Sequence, residues 1–248
     1  MRLFRNTVFT GAITANLISM MVDVGFIYFA SQHLQLVSGL PPMYAGMLLI
    51  PGTLAIIIAG LVIARVAVHF HPAQVVSFGL ALHAAAFAVL AFLGAHNDLV
   101  IILIFIVLGT GIGIAQTISN DLMLSSVPPR KAGAASAISE TSYETGTVLG
   151  TVIIGGMLTA VYRANVVVPD GLDETLADHA HETLGGAVTV ASQVGGEQAN
   201  QLLSSAFAAF DSGVVLSSAF SAVLMGVMAV ISYFMIRKAP REMKPAEH

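Results

Sequence analysis

Long runs of apolar residues, separated by short polar or proline-containing segments, extend along most of the chain. Six of these runs reach the roughly 20 residues that a helix needs to cross the hydrocarbon core of a bilayer. They cover residues 8–31, 43–64, 73–94, 98–120, 132–161 and 213–236. The segments between them, such as "SGLPP" and "SSVPPRKAG", contain the prolines and glycines that end helices. The pattern predicts six membrane-spanning helices.

Composition supports the same interpretation. The chain has 248 residues, of which 56% are hydrophobic and 10% are charged, whereas soluble domains carry roughly 25% charged residues. The charged start and first apolar run are typical of a signal peptide, but no small-residue cleavage site follows and further apolar runs do, which favours a first span. Cysteine is absent, so disulfides and thiolate metal sites are excluded. The predicted fold class is an all-α polytopic membrane protein.

The basic residues predict its orientation. With six spans both ends lie on one side of the membrane, and nine of the ten Lys and Arg residues fall on that side. Because basic residues concentrate in cytoplasmic loops, this side is predicted to be the cytoplasm, across a plasma membrane. The nine residues are Arg2, Arg5, Arg65, Arg130, Lys131, Arg237, Lys238, Arg241 and Lys244.

The segment 163–212 is predicted to be external and carries seven acidic residues. Its stretches "DETLADHAHETL" and "EQANQLLSSAFAAF" are typical of helices, joined through "GGAVTVASQVGG". A helical hairpin is the favoured interpretation, and a disordered acidic loop is the alternative. The predicted organisation is therefore spans one to five in 1–162, the hairpin in 163–212, the last span in 213–236 and a cytoplasmic tail in 237–248.

The fifth span contains two acidic residues, Glu140 and Glu144, on one face and one turn apart. Helical spacing adds Ser136, Thr147 and Thr151 to that face, so we expect the stripe to line a protein cavity or water rather than lipid. Two carboxylates this close in a low dielectric cannot both ionise comfortably, so one is expected to hold an exchangeable proton. A proton-coupled cation site is the functional interpretation. The alternative is that both acids only orient helices.

Other polar residues within the spans are weaker candidates. Asp23 in the first span is either a cavity-lining, proton-coupling acid or a satisfied structural one. His83 in the third span is either a proton relay or, more simply, a helix contact. Gly146 and Gly150 form a small-xxx-small pair to one side of the acidic stripe and are expected to pack against a neighbouring helix.

Motifs of several other function classes are missing from the sequence. There is no HExxH, GxSxG or P-loop motif and no basic patch away from the membrane edges. The glycines of "GTGIGIA" (109–115) fall in mid-span, where close helix packing is the favoured interpretation. The sequence therefore predicts neither an enzyme nor a nucleic-acid binder, and neither a cofactor nor a metal site.

Three stretches resemble the major facilitator superfamily: "RLFRNTVFT", "MYAGMLLIPGTLA" and "SSVPPRKAGAASAISETSYETGTVLGTVIIG". The resemblance is to the fourteen-span drug:proton antiporters, which export quaternary ammonium and other cationic drugs, and it covers the C-terminal six spans of such pumps. In these pumps the acids of the penultimate helix assist cation recognition and proton coupling. The resemblance assigns those roles to Glu140 and Glu144.

The sequence departs from that family in one loop and in its extent. The basic, glycine-rich loop after the second span of a half is reduced to Arg65 in "ARVAVHFHPAQ". Alternating access rocks one six-span bundle against another, so the expected partner is an N-terminal half or a second bundle, and the chain alone is expected to be inactive. Protons, organic cations and the bilayer are the other expected partners. A six-span scaffold or accessory subunit with structural acids is the alternative function.

Overall fold

The structure, a computed structural model, describes residues 3–95 and 97–239. Over these residues the chain forms helices and connecting turns, without β-strands. The predicted all-α polytopic fold is confirmed. Three of the basic residues used for the orientation, Arg2, Arg241 and Lys244, lie outside the described residues, as does most of the predicted tail.

Nine α-helices account for most of the described residues. They are α1 (Thr7–Gln32), α2 (Pro42–Val66), α3 (Pro72–Leu93), α4 (Asp98–Ser125), α5 (Ala132–Leu149), α6 (Gly156–Asn165), α7 (Glu174–Glu182), α8 (Leu184–Val194) and α9 (Gly196–Ile236). Short 3-10 helices cover Leu3–Arg5, Ala67–His69 and Pro129–Lys131, and π-helical turns cover His33–Val37 and Gly150–Gly155.

Six stretches of helix within the described residues are long and apolar enough to cross a membrane, and each corresponds to a predicted span. They are Thr7–Val37, Pro42–His69, Pro72–Leu93, Asp98–Ser125, Pro129–Asn165 and Gly196–Ile236. The fifth contains the π-helical turn Gly150–Gly155, which the sequence pattern does not reveal. Short polar residues begin several of these helices. The Asn97 side chain, for example, accepts a 2.8 Å hydrogen bond from the Leu99 amide at the start of α4.

Glycines let α4 approach two neighbours closely. A Cβ atom at Gly109 would lie 2.3 Å from the Gly52 carbonyl oxygen of α2, and one at Gly113 would lie 2.3 Å from the Ile56 carbonyl oxygen. On another side of α4, a Cβ atom at Gly111 would lie 2.7 Å from the Gly79 carbonyl oxygen of α3. Only a residue without a side chain fits at these crossings. The prediction that "GTGIGIA" serves close helix packing is confirmed.

The spans differ in which neighbouring helices they pack against. α1 packs against α4, α5 and α9, while α3 packs between α4 and α9. α2 packs chiefly on α4, and Ala45 and Gly52 are its buried residues. One side of the bundle is therefore built from α2, α4, α1 and α5, with α2 and α5 at its two edges. We call this side the open face.

The segment 163–212 differs from the predicted hairpin. The stretch expected to be the linker forms helix α8, and the stretch expected to be the second arm is the first part of α9, which runs without interruption into the last span. The hairpin consists instead of α7 and α8, which pack on each other. The last helix therefore begins at Gly196 rather than at 213.

Local chemistry explains this correction. Leu184, Ala187, Val190 and Ala191 form a buried stripe at helical spacing, although the glycines around them are typical of a linker. The Thr183 hydroxyl accepts a hydrogen bond from the Gly186 amide at 3.0 Å and begins α8. At the other end, glycines with positive φ separate α8 from α9.

A hydrogen bond joins the hairpin to α6, one of the helices of the fifth span. The Tyr162 hydroxyl of α6 donates a 2.8 Å hydrogen bond to the Ala180 carbonyl oxygen of α7. Hydrogen bonds from the hydroxyl and the amide of Thr175 hold the pKa of Asp173 below its usual range, at the position that begins α7. The segment is thus an ordered helical cap against α6 and α9.

Candidate carboxylate face of the fifth span

The polar stripe of α5 and its π-helical turn points away from the other spans. Ser136, Glu140, Glu144 and Thr151 are exposed, and Thr147 is half-buried. The Thr147 hydroxyl donates to the Tyr143 carbonyl oxygen and the Thr151 hydroxyl to that of Thr147, each at 3.1 Å. These threonines satisfy their own hydrogen bonds within the helix, so their outer surface is free to line a cavity.

The glycine pair beside the stripe fixes this rotation. A Cβ atom at Gly146 would lie 2.6 Å from the Leu17 carbonyl oxygen, and one at Gly150 would lie 2.3 Å from that of Met21. Both glycines therefore lie directly against α1. Because this glycine side faces α1, the two carboxylates belong to the open face.

The two carboxylates have no partner within the bundle. Across residues 3–95 and 97–239, neither Glu140 nor Glu144 has a hydrogen bond or an ion pair with another residue. An acid that merely joins helices needs a donor on a neighbouring helix. Neither carboxylate therefore joins α5 to another of the described helices.

A polar network lies beside the carboxylates and joins three spans. The Asn16 amide nitrogen of α1 donates to the Asn120 side-chain oxygen of α4 at 3.1 Å and to the Tyr143 hydroxyl of α5 at 3.2 Å. The Tyr143 hydroxyl donates to the same Asn120 oxygen at 3.1 Å. Tyr143 immediately precedes Glu144, so the network holds this turn of α5 against α1 and α4.

Tyr143 is not among the candidate residues that the sequence predicts. The available signal is an aromatic hydroxyl inside the acidic run of a membrane span, because a buried hydroxyl needs a partner. The sequence does not show which helices supply that partner.

Asp23 lies away from the carboxylate stripe. Its side chain is buried and its Oδ1 atom lies 2.7 Å from Nε2 of His83 on α3. α1 and α5 run parallel, because Gly146 lies against Leu17 and Gly150, four residues later, lies against Met21. Asp23 therefore lies about two helical turns, or about 12 Å, further along the bundle than Glu144. The structure thus brings Glu140 and Glu144 together and keeps Asp23 apart from them.

Within the described part of the chain, no group of three or more His, Asp or Glu side chains is arranged to hold a metal ion.

Comparison with known proteins identifies the family. Residues 1–151 match the Major Facilitator Superfamily, which is more than half of the chain. The chain belongs to this superfamily. Together with the six candidate membrane spans, membership supports a multi-pass membrane protein.

Several superfamily relatives are drug resistance proteins. The chain is 45% identical over 231 residues to the Multidrug efflux pump LfrA of Mycolicibacterium smegmatis, covering 92% of the chain and 46% of that protein. It is 31% identical over 248 residues to the Methyl viologen resistance protein SmvA of Salmonella typhimurium, covering 97% of the chain and 49% of that protein. A Tetracenomycin C resistance and export protein of Streptomyces glaucescens is 26% identical over 234 residues, covering 90% of the chain and 43% of that protein. The chain spans about half the length of these relatives.

Proposed function

We propose that this chain is the C-terminal half of a proton-coupled exporter of cationic drugs, of the fourteen-span branch, in the plasma membrane. The observation that carries the proposal is the exposure of Glu140 and Glu144 on the open face, without a partner among the described residues. The names of the relatives support drug export, since they describe multidrug efflux, methyl viologen resistance and tetracenomycin C export.

A second six-span bundle completes the site in this proposal. On insertion scales a charged side chain such as Asp costs about 2.5–3.5 kcal/mol at the centre of a membrane helix, so two carboxylates facing lipid would be strongly unfavourable. A polar cavity between two bundles removes that cost. Rocking of the two bundles about a site near the midplane then exposes the carboxylates to each side in turn.

The two carboxylates have different roles in this proposal. Glu144 lies deeper in the span and exchanges the proton, while Glu140, nearer the cytoplasmic end, meets the incoming cation. A bound cation and a bound proton compete for the same negative charge, so release of one favours uptake of the other. This competition couples drug export to proton entry.

The orientation follows from the basic residues. Arg5, Arg65, Arg130, Lys131 and Arg237 lie at the ends of spans that we assign to the cytoplasm, so both termini are cytoplasmic and the cap formed by α7 and α8 is external.

A chimera tests the proposal. This chain replaces the matching segment of LfrA, and efflux driven by an imposed pH gradient is measured in proteoliposomes for methyl viologen, a dication, and tetraphenylphosphonium, a monocation. Glu144→Gln should abolish efflux of both, because glutamine preserves shape but carries no exchangeable proton. Glu140→Gln should weaken methyl viologen efflux more, because a second positive charge gains most from a second carboxylate.

Glu174→Gln on α7 is the matched control, since it removes an exposed acid outside the spans, and we expect efflux of both cations to be unchanged. Full efflux of both cations by the Glu140→Gln and Glu144→Gln chimeras would contradict the proposal and favour acids with a purely structural role.

A further inference from the structure

A second pair of ionisable residues lies in the interior of the bundle, between α1 and α3. Nε2 of His83 and Oδ1 of Asp23 are 2.7 Å apart. The His83 side chain is fully buried, whereas the Asp23 side chain keeps 9% of its surface exposed. His83 lies at the middle of α3, so the pair is well inside the membrane-spanning region.

The surroundings of the pair are apolar on the imidazole side. The His83 ring stacks on Phe87, with ring centroids 5.6 Å apart and planes 5° apart, and Phe87 in turn contacts Phe26 edge to face. Both ring nitrogens of His83 and the Oδ1 atom of Asp23 are buried without an aligned hydrogen bond among the described residues, so the 2.7 Å approach of Nε2 to Oδ1 is an ion-pair contact. Because the imidazole is fully buried and the Asp23 side chain keeps some exposed surface, the carboxylate is the side of the pair that water can reach.

Within the described residues, the ion-pair contact of Asp23 is with His83. The elements packed against α1 and α3 carry other ionisable groups. They are Asp98 and Asp121 near the ends of α4, Glu140, Tyr143 and Glu144 of α5, and Glu197, Asp211 and Tyr233 of α9, with Arg237 just after its end. α1 itself adds Tyr28, the 3-10 helix Leu3–Arg5 adds Arg5, the π-helical turn His33–Val37 adds His33, and the π-helical turn Gly150–Gly155 adds none. In the part of the chain that the structure describes, none of these groups forms an ion pair with Asp23 or His83.

The charge balance of the pair follows from this isolation. An unprotonated Asp23 beside a neutral His83 would leave one uncompensated negative charge in the interior, which is costly. One proton, held on either residue, makes the pair neutral overall. A single proton therefore satisfies the charge balance of both residues.

α1 connects this pair to the carboxylate face. Asp23 comes two residues after Met21, whose carbonyl oxygen lies against Gly150, and two turns after Asn16, which bonds Tyr143. A shift of α1 with α5, relative to α3, would separate Asp23 from His83. Such a shift would open the carboxylate to water at the same time as the carboxylate face moves.

We propose that Asp23 and His83 form a proton-binding site separate from Glu140 and Glu144. In the closed arrangement the pair holds one proton. When α1 moves away from α3, that proton leaves Asp23 for water as hydronium, and the pair becomes an aspartate and a neutral imidazole until it is protonated again. Its role in transport rests on the proposed function, whereas the binding of the proton does not.

Infrared spectroscopy tests the binding step on the purified chain in lipid. Glu140→Gln and Glu144→Gln are introduced first, so that Asp23 is the remaining carboxyl of the bundle interior. The acid-minus-alkaline difference spectrum should contain a buried-carboxyl band that Asp23→Asn removes. His83→Gln should move the midpoint of that band by about tenfold or more in proton concentration. A spectrum unchanged by Asp23→Asn, or a midpoint unchanged by His83→Gln, would overturn the proposal.

Two further variants are controls, one for misfolding of the single variants and one for non-specific effects of replacing a histidine. Asp23→His combined with His83→Asp restores a carboxylate–imidazole pair with its polarity reversed, and it should restore a pH-dependent band even if single variants fold poorly. His33→Gln alters the other His–Asp contact, a 3.2 Å contact with Asp98 at the outer end of α1, and should leave the band unchanged. Absence of a pH-dependent band in the reversed pair would also count against the site.

The role in transport is measured separately in the LfrA chimera. Asp23→Asn and His83→Gln should shift the pH dependence of efflux by about tenfold in proton concentration, which a purely structural contact would not do. An unchanged pH profile would overturn the coupling role. If the chimera transports nothing, the proposed function fails while the infrared titration still decides the proton site.

Discussion

Gly150 of the fifth span lies directly against the backbone of Met21 in α1, where a Cβ atom would approach the Met21 carbonyl oxygen to 2.3 Å. Gly146, one turn earlier, has the same relation to Leu17. These two contacts set both the distance and the rotation between the helices. The exposure of the carboxylates on the open face is therefore a consequence of where the glycines lie.

Replacing Gly150 with alanine should destabilise the packing of α5 on α1. The added methyl group meets backbone atoms that cannot move aside as a flexible side chain does, so we expect a loss of about 1–3 kcal/mol. Thermal unfolding of the purified chain in detergent measures it. Gly156→Ala is the control, because no atom lies within 4 Å of a Cβ there, and equal effects of the two substitutions would contradict the predicted crossing.

Removing the hydroxyl of Tyr143 should loosen the turn of α5 that carries Glu144. In Tyr143→Phe, Asn16 and Asn120 keep their mutual bond but lose the link to α5, at a cost of about 0.5–1.5 kcal/mol. We expect weaker efflux in the chimera for both test cations, through a higher KM. Tyr44→Phe on the exposed side of α2 is the matched control. A chimera with Tyr143→Phe that matches wild type in both stability and KM would show that the network is dispensable.

Single cysteines should report the orientation, since the chain has none of its own. Ser192→Cys on α8 is exposed in the cap, and Ser125→Cys is exposed at the end of α4. A membrane-impermeant thiol reagent should label the first in intact cells and the second only after permeabilisation. The reverse pattern would place the termini outside the cell.

The chain expressed alone should confer no resistance to organic cations. Its spans satisfy their own backbone hydrogen bonds and should insert, but the open face has no opposing wall against which to alternate. Growth of a drug-sensitive host on a panel of organic cations measures this, with the chimera as the positive control. Proton-dependent efflux by the purified chain would instead indicate that two copies supply both walls.

Sequence pattern was sufficient for the number and approximate limits of the spans, because hydrocarbon thickness imposes a long apolar run on each. It failed in the cap, where "GGAVTVASQVGG" forms α8. Glycines are typical of linkers, yet the buried stripe that includes Leu184 and Val190 has helical spacing and stabilises a helix through tertiary packing. The local composition of this stretch does not show that its apolar residues pack against other helices.

The carboxylate stripe is visible in the sequence because its members lie on one helix. The partners that define the rest of the site come from distant helices. His83 of α3 meets Asp23 of α1, and Tyr143 of α5 meets Asn16 of α1 and Asn120 of α4. A single sequence shows which polar residues need partners, but the pairing depends on helix rotations that it does not encode locally.

Helix α9 runs for 41 residues from Gly196 to Ile236, so at 1.5 Å per residue it is about 60 Å long. That length is about twice the thickness of the hydrocarbon core. The part of the helix that exceeds this thickness packs against α8, so a tilt of the whole helix would displace the cap further than the membrane-embedded part. A spin label or fluorophore on α8 would therefore report a tilt of α9.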